Sequence, residues 1–369
     1  MLPPISAQTP ESLKDWLAER DEPAYRADQI LQWVHQKGAT DWSAMSNLPD
    51  TLRNQLSESF QLSSVEPAKE QGSLDTTLKF LWKLSDGQFV ESVLIPANPA
   101  LYGESSDRHT LCVSTQVGCA YGCRFCASGL EGFKRNLTPA EIVDQVLAVE
   151  RIRRHAASAR DRLITNLVIM GMGEPMANYD NLLAALDILN ADWGTGIGAR
   201  KITISTSGLV PRIRELAQQP KQYRLAISLH GATDAVREQI MPINRRYPLK
   251  ELAAAAAEYQ SVKNGMITLE YILIEGINDH LDQVVPLAQL AKQLRAKVNL
   301  IPYNQVDGLE WNRPSVEAQD AFLDGLKALG TLVTLRREKG HDIDAACGQL
   351  RLRTERNWPQ ASPELQDGP

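Results

Sequence analysis

Four cysteines lie within fifteen residues of this 369-residue chain, in the stretch "CVSTQVGCAYGCRFC" that begins at Cys112. The remaining cysteine, Cys347, stands far along the chain in "DIDAACGQL". Thiols this crowded are unusual for cysteines that serve only as small buried apolar residues. An odd, clustered set also does not fit the disulfide framework of a secreted protein. The segment is therefore expected to bind metal or to carry out thiol chemistry in a reducing compartment.

Two kinds of metal site are open to these thiols. A structural zinc ion takes four ligands, and Cys112 could complete such a set, but the paired C-x-x-C knuckles typical of zinc are absent. The alternative is a [4Fe–4S] cluster, for which Cys119, Cys123 and Cys126 supply a C-x3-C-x2-C spacing. Because such a cluster takes one ligand per iron, three cysteines leave one iron open for a substrate or second cofactor. The spacing favours the cluster.

The cysteines follow the first of several short apolar runs that alternate with helical segments. The first six runs are "TLCVST", "NLVIMG", "KITIST", "RLAISLH", "MITLEYILI" and "KVNLIPY", and a seventh, "TLVTLRR", leads to Cys347. One intervening helix has a clear start, since Thr138 and Glu141 form a capping box around Pro139. This alternation predicts parallel β/α packing, as an open sheet or a partial barrel.

Polar residues stand where four of these predicted strands end. They are Gly173 and Glu174 in "GMGEP", Ser205 in "STSG", Ser228, Leu229 and His230 in "SLH", and Asn304 in "IPYN". Parallel β/α domains bind ligands at the carboxyl ends of their strands. Glu174 could hold an ammonium group, and the glycine before it would let the backbone approach a ligand. Taken alone, "GxGE" is more often a simple turn, and His230 is more often a satisfied structural residue.

Regions of different composition flank this β/α pattern. Residues 1–64 are predicted to form a helical unit, from a helix start at Thr9 through "AYRADQILQWVHQKG" to "LPDTLRNQL". Residues 65–104 combine a polar linker, "SSVEPAKEQGS", with a β-hairpin that turns at Ser85-Asp86-Gly87. Residues 105–350 form the β/α domain, and the polar segment 351–369 is predicted to be a flexible tail.

Composition and charge are those of an ordinary globular protein. A net charge of −6, from 39 basic and 45 acidic side chains, gives no global sign of a nucleic-acid partner. The amino terminus has no signal-peptide pattern, and no apolar run is long enough to span a bilayer. We therefore expect a cytoplasmic protein without a membrane partner.

The motifs together resemble one family. "TLCVSTQVGCAYGCRFCASGLEGFKRNLTPAEIVDQV" is followed in order by six further blocks: "GMGEPMANYDNLL", "ISTSGLVP", "LAISLHGATDAVRE", "MPINRRYPL", "VNLIPYN" and "DIDAACGQL". These blocks are similar to the RlmN/Cfr family of radical S-adenosylmethionine (SAM) enzymes, which methylate an adenine carbon in RNA. The amino-terminal unit resembles the family's accessory domain. The resemblance implies a partial (β/α)6 barrel with an N-terminal helical domain that binds RNA.

The resemblance also implies the cofactors and their ligands. A [4Fe–4S] cluster would be bound by Cys119, Cys123 and Cys126. SAM would be bound by the strand-end residues, which are Gly173, Glu174, Ser205, Ser228, Leu229, His230 and Asn304. Two SAM molecules would be consumed per methylation.

A separate catalytic set is implied as well. Cys347 would receive a methyl group from one SAM, and a 5′-deoxyadenosyl radical made from the second would take a hydrogen from that S-methyl group. The resulting carbon radical would add to adenine, and Glu91 would remove the ring proton. Cys112 would then attack the sulfur of Cys347, forming a transient disulfide and releasing methylated RNA.

Within this family, the chain most resembles the enzymes that methylate adenine carbon 2 in 23S rRNA and in tRNA next to the anticodon. The alternative within the family is Cfr-like methylation of carbon 8 in 23S rRNA. A rival from another class is an RNA-binding or sensor protein with a cluster or zinc, which would not need Cys347. The partners implied are 23S rRNA, tRNA and an electron donor such as flavodoxin, with the enzyme as a monomer.

Glu91 has a competing interpretation. Its alternation with Val90 and Ser92 would also suit an exposed strand carboxylate without a chemical role. The segment "ANPALYGESSDRH" before Cys112 is longer than the family pattern predicts, and it is either a surface insertion or a shift in the register of Glu91.

Overall fold

A ten-stranded sheet organises the computed structural model, which describes residues 2–73, 76–97, 108–130, 132–154, 162–306, 308–336 and 349–357. The strands are β1 (Val65–Gly72), β2 (Leu78–Leu84), β3 (Phe89–Pro96), β4 (His109–Cys112), β5 (Gln116–Gly118), β6 (Phe133–Asn136), β7 (Asn166–Ile169), β8 (Ile202–Thr206), β9 (Arg224–Ser228), β10 (Thr268–Leu273), β11 (Lys297–Pro302) and β12 (Val333–Leu335). The sheet order is β1-β2-β3-β4-β7-β8-β9-β10-β11-β12, while β5 and β6 pair separately.

Helices follow the strands of the parallel part and also build the amino-terminal unit. They are α1 (Pro10–Ala18), α2 (Arg26–Leu31), α3 (Asp50–Ser59), α4 (Pro139–Arg154), α5 (Tyr179–Asn190), α6 (Val210–Gln218), α7 (Asp234–Ile240), α8 (Leu249–Lys263), α9 (Val284–Gln293), α10 (Val316–Ala328) and α11 (Gln349–Asn357). A π-helical turn at Gln32–Lys37 extends α2 and ends at Gly38, which has a φ of +68°.

The parallel half of the sheet confirms the predicted β/α architecture. All six apolar runs form strands, the seventh forms β12, and each neighbouring pair from β4 to β12 is parallel. Such strands are covered by helices and become buried on both faces, which explains their short, continuous apolar runs. The capping box at the start of α4 is present, because the Thr138 N–H donates to Glu141 Oε2 at 2.8 Å.

The antiparallel half carries the predicted hairpin, in which β2 pairs with β3 and β3 pairs with β4. The polar segment expected to be a linker is instead the edge strand β1, antiparallel to β2. Its side chains are mostly exposed, as is usual for a strand at the edge of a sheet, so it lacks the apolar alternation that identifies a buried strand.

The expected flexible tail is also wrong over its first part. Residues up to Asn357 continue as α11, in which Leu350, Arg351 and Leu352 are buried. The helix was missed because its sequence is mostly charged and its apolar contacts are made by only two leucines. Residues 358–369 lie outside the described residues.

Polar contacts join the amino-terminal unit to the barrel. The buried Asp144 carboxylate on α4 accepts hydrogen bonds from the Ser64 N–H at 2.7 Å and from the Ser64 hydroxyl at 2.6 Å. The His35 ring meets Trp193 edge-on at 5.8 Å. The helical unit therefore packs directly against the β/α domain.

Candidate active site

The three clustered thiols lie on one loop between β5 and a 3₁₀ turn at Ala127–Gly129. The backbone turns back on itself within the loop, where the Cys126 N–H donates to the Cys123 carbonyl at 3.1 Å. Burial raises the pKa of the Cys119 thiol to about 12. It also raises the pKa of Cys123, and Cys126 and Cys119 add a repulsive contribution. Three thiols that oppose each other's ionisation are suited to a cation that all of them can bind.

The donor set of three thiols fits an iron–sulfur cube. Cys119, Cys123 and Cys126 are near enough to each other that Cys126 and Cys119 both contribute to the raised pKa of Cys123. A [4Fe–4S] cube takes each thiolate on a different iron, so its ligands are spread around the cube.

The turn at "GMGEP" follows β7 and packs against β5, the strand that precedes the cysteine loop. A Cβ atom added at Gly173 would lie 2.5 Å from Gln116 Cβ, and Gly173 has a φ of +99°. The close approach to Gln116 therefore already requires glycine at this position. Gln116 in turn accepts the Glu174 N–H through its side-chain oxygen at 2.9 Å.

Glu174 is a buried carboxylate that receives backbone N–H groups. Its Oε1 accepts from Met176 at 3.0 Å, and its Oε2 accepts from Ser207 at 2.7 Å. Burial raises the pKa of Glu174, and these hydrogen bonds act in the opposite direction. Its negative charge also contributes to the raised pKa of Cys123, so Glu174 lies beside the cysteine loop.

The other predicted strand-end residues meet at the same edge. The hydroxyls of Ser205 and Ser228 are 3.4 Å apart, at the ends of β8 and β9. His230 Nδ1 accepts the Ile272 N–H at 3.0 Å, and its ring meets Phe125 of the cysteine loop edge-on at 4.8 Å. Burial lowers the pKa of His230 to about 3, so its ring is neutral. Leu229 is buried beside it, and Asn304 is half-buried after β11.

Arg237 was missed by the sequence reasoning. It is fully buried on α7, and its guanidinium donates to the Leu229 carbonyl, the Asn244 side chain and the Ser207 carbonyl. These hydrogen bonds hold the loops after β8 and β9 together. Arginine is usually exposed, so its type gave no hint. The available signal was Gly231, whose Cβ would lie 2.6 Å from the Arg237 backbone.

Glu91 and Cys112 lie on one face of the sheet. Cys112 on β4 pairs with Val93 on β3, and Glu91 stands two residues before Val93. Alternate residues of a strand share a face, and diagonal neighbours have Cα atoms about 7–8 Å apart. Glu91 is 3% exposed and Cys112 is 6% exposed, so the alternative of an exposed carboxylate is wrong. The residues 98–107 that join the two strands lie outside the described residues.

Charged and polar groups surround the Glu91 carboxylate. The Lys79 ammonium on β2 is 2.8 Å from Glu91 Oε2, and the Arg351 N–H donates to Oε1 at 2.6 Å. Arg351 lies in the first turn of α11, which packs on β3. Cys347 lies outside the described residues, two positions before this helix begins.

Comparisons with known proteins identify the family of this chain. Residues 113–287 match the Radical SAM superfamily model, and residues 6–62 match the ribosomal RNA large subunit methyltransferase N-terminal domain. The chain is 54% identical to the "probable dual-specificity RNA methyltransferase RlmN 3" of Opitutus terrae, over 96% of each protein. It is 45% identical to the "dual-specificity RNA methyltransferase RlmN" of Anaeromyxobacter dehalogenans, over 94% of this chain and 91% of that one.

The chain belongs to the RlmN family of radical SAM RNA methyltransferases. A solved radical SAM methyltransferase from Sphaerobacter thermophilus has the same fold, with a TM-score of 0.87 and 44% identity over 94% of this chain and 98% of that one. Family membership implies SAM and a [4Fe–4S] cluster as cofactors. Among the helices that the structure describes, none has the length and apolarity needed to cross a bilayer.

This RlmN-family protein has a large cavity near the amino-terminal ends of the parallel strands, away from the cysteine loop. Its volume is about 1080 Å³. Thr110 and Val168 line it, and they share a face with Cys112. Cationic side chains contribute to its wall: Arg108, Arg200, Arg224, Lys297 and Arg336. The cavity also contains the buried Glu270, whose pKa is raised by burial.

Proposed function

We propose that this RlmN-family enzyme methylates carbon 2 of adenine in 23S rRNA and in tRNA beside the anticodon. The observation that carries the proposal is the common face of Glu91 and Cys112, against which the helix after Cys347 packs. The "dual-specificity" names of the relatives support the two RNA substrates. A cluster-containing RNA-binding protein or sensor would not need a thiol and a carboxylate placed together.

The cofactors would bind at the carboxyl ends of the parallel strands. Cys119, Cys123 and Cys126 would hold the cluster. SAM would lie against Glu174 and the strand-end residues, which are Gly173, Ser205, Ser228, Leu229, His230 and Asn304. When bound, these groups supply the methyl groups and the radical that activates an S-methyl group for attack on an aromatic ring.

The chain's own residues would carry out the remaining steps. Cys347 holds the methyl carbon as a thioether, which fixes it against the base. Glu91 accepts the proton that leaves the adenine ring, because an ionised carboxylate is an acceptor and Glu91 shares a face of the sheet with Cys112. Cys112 attacks the sulfur of Cys347 as a thiolate, so that a disulfide forms as the carbon–sulfur bond to the product breaks. The electron pair of that bond goes to the carbon, which takes up a proton and becomes the methyl group of the product.

The cationic side chains that line the cavity would contact RNA phosphates, because lysine and arginine neutralise phosphate charges. The target base would be turned out of its stack, as in other enzymes that modify bases. Residues 1–64 would add RNA contacts. The same proposal includes consumption of two SAM molecules, a flavodoxin-type electron donor, a monomeric state and a cytoplasmic location.

Two cysteine variants and the methylated product test the proposal. Wild-type enzyme should produce 2-methyladenosine in digested RNA, identified by mass spectrometry, and 8-methyladenosine would instead favour the Cfr-like alternative. Cys347→Ala should place no methyl group on protein or RNA. Cys112→Ala should stop after carbon–carbon bond formation and leave RNA covalently attached, visible on a denaturing gel. Normal product from Cys112→Ala without attached RNA would contradict the role of Cys112.

A further inference from the structure

We propose that Lys79 is a positioning residue that holds the Glu91 carboxylate in place to accept the ring proton. The inference rests on the proposed function, in which Glu91 is the base. Lys79 itself need not touch RNA or either cofactor, because it acts through Glu91.

The first support is the position of Lys79 in the sheet. On β2 it pairs with Val93 of β3, which pairs with Cys112 of β4. Lys79, Val93 and Cys112 therefore form one row across three strands, on the face that Glu91 shares. The pleat alone brings the ammonium diagonally opposite Glu91, and the distance between Nζ and Oε2 is 2.8 Å.

The second support is burial. Lys79 is 0% exposed and Glu91 is 3% exposed, so water screens neither charge. An apolar group formed by Leu81, Phe89 and Leu350 lies on the same side of the hairpin. Burying an ammonium ion is costly unless it is paired, and an apolar side chain at position 79 would pack without that cost. The presence of lysine there is explained if the charge itself is needed.

The chemical reason follows from the reaction. A general base must lie within hydrogen-bond reach of the proton that it removes, so its carboxylate has to be held in one direction. In the proposed step, the electron pair of the ring C–H bond stays in the ring and the proton passes to Glu91. The Lys79 contact at Oε2 and the Arg351 N–H at Oε1 also fix the direction of the carboxylate. Lys79 thus helps to determine the orientation of the base.

The alternative is that Lys79 only stabilises the hairpin. The two roles are separated by the ratio of methylated adenine to 5′-deoxyadenosine, because the radical forms before the ring proton leaves. Lys79→Gln keeps a hydrogen-bond donor but removes the charge, whereas Lys79→Arg keeps the charge. Lys69→Gln is the matched control, since it removes a lysine charge from the exposed side of neighbouring β1.

We expect Lys79→Gln holoenzyme to form 5′-deoxyadenosine and to methylate Cys347 normally. The ratio of product to 5′-deoxyadenosine should fall about a hundredfold, the typical contribution of a general base. Glu91→Gln should show the same loss, Lys79→Arg should restore most of the ratio, and Lys69→Gln should leave it unchanged. Hydrogen exchange provides a readout independent of turnover: the Arg351 amide should exchange faster in Lys79→Gln.

Four results would overturn the inference. The first is an unchanged ratio of methylated adenine to 5′-deoxyadenosine in Lys79→Gln together with a lowered ratio in Glu91→Gln. That result would contradict the role of Lys79 and leave the proposed function intact. Another is a parallel loss of cluster, 5′-deoxyadenosine and product, which indicates a structural role. Full turnover by Glu91→Gln would remove the base assignment as well. If Lys79→Gln does not fold, the double variant with Glu91→Gln removes both charges of this ion pair. A further loss in the double variant relative to Glu91→Gln alone would show that Lys79 does not act through Glu91.

Discussion

Gly173 provides a direct test of how the proposed SAM-binding edge is built. Replacing it with alanine adds a single Cβ atom, which would lie 2.5 Å from Gln116 Cβ and 2.8 Å from the Gln116 backbone nitrogen. These neighbours belong to the main chain or its first side-chain atom, so they cannot rotate away. The substitution should therefore separate the turn from Gln116 and break the hydrogen bond that Gln116 accepts from the Glu174 N–H.

The magnitude has two parts. A non-glycine residue at a φ of +99° stores about 1–3 kcal/mol of backbone strain. Forcing an extra methyl group into a packed site costs about 1–3 kcal/mol more. Gly87 isolates the first part, because it has a φ of +82° and a Cβ atom there would meet nothing within 4 Å. Gly173→Ala should therefore lower the free energy of unfolding by clearly more than Gly87→Ala does.

Urea unfolding and SAM binding measure the two consequences. Gly173→Ala should unfold at lower urea than Gly87→Ala and should bind SAM more weakly, since the Glu174 carboxylate moves with the turn. Gly87→Ala lies in the hairpin turn and should bind SAM normally. Equal stability of the two variants, together with unchanged SAM affinity, would refute the explanation that close contact with Gln116 requires glycine here.

Two further predictions concern the metal site and the response to acid. Anaerobic reconstitution should give about four irons per chain with cluster absorbance, and stoichiometric zinc without that absorbance would contradict the cluster. The pKa of buried His35 is lowered from 6.5 to about 3, chiefly by burial, so the unfolded chain takes up a proton below pH 6.5 before the folded one does. The stability due to neutral His35 is complete above pH 6.5 and decreases as pH falls towards 3, by about 2 kcal/mol at pH 5. His35→Phe should lose less stability than wild type between pH 7 and pH 5 in urea unfolding, and an equal loss would contradict burial of a neutral ring.

The parallel core was predictable because its signals are local and repeat regularly. Apolar runs, the Thr138 capping box and the turn at Ser85-Asp86-Gly87 each identify an element from a few neighbouring residues. The proximity of the strand-end residues was also predictable, because parallel strands bring their carboxyl ends to one edge of the sheet. Ser205 and Ser228 accordingly meet at 3.4 Å.

Elements whose stability depends on distant partners were not predictable. β1 is polar and forms only because β2 offers it an edge, and α11 is charged and forms against β3. Lys79 and Arg237 looked like surface residues by type. Lys79 is buried because it pairs with Glu91, and Arg237 is buried because it donates to the carbonyls of Ser207 and Leu229. Folding brings these partners together, so the sequence around each residue does not reveal them.

The register of β3 and β4 decides whether the proposed chemistry is possible, because a slip of one residue would turn Glu91 to the opposite face. That opposite face contains the groups that prevent the slip. Gln145 on α4 accepts hydrogen bonds from the Ser92 hydroxyl at 2.9 Å and the Ser114 N–H at 3.0 Å, and it donates to the Ser114 carbonyl at 3.1 Å. One buried amide thus links the two strands from behind the sheet. The length of the connection at residues 98–107 does not set the register, so a long insertion there is compatible with Glu91 and Cys112 on the same face.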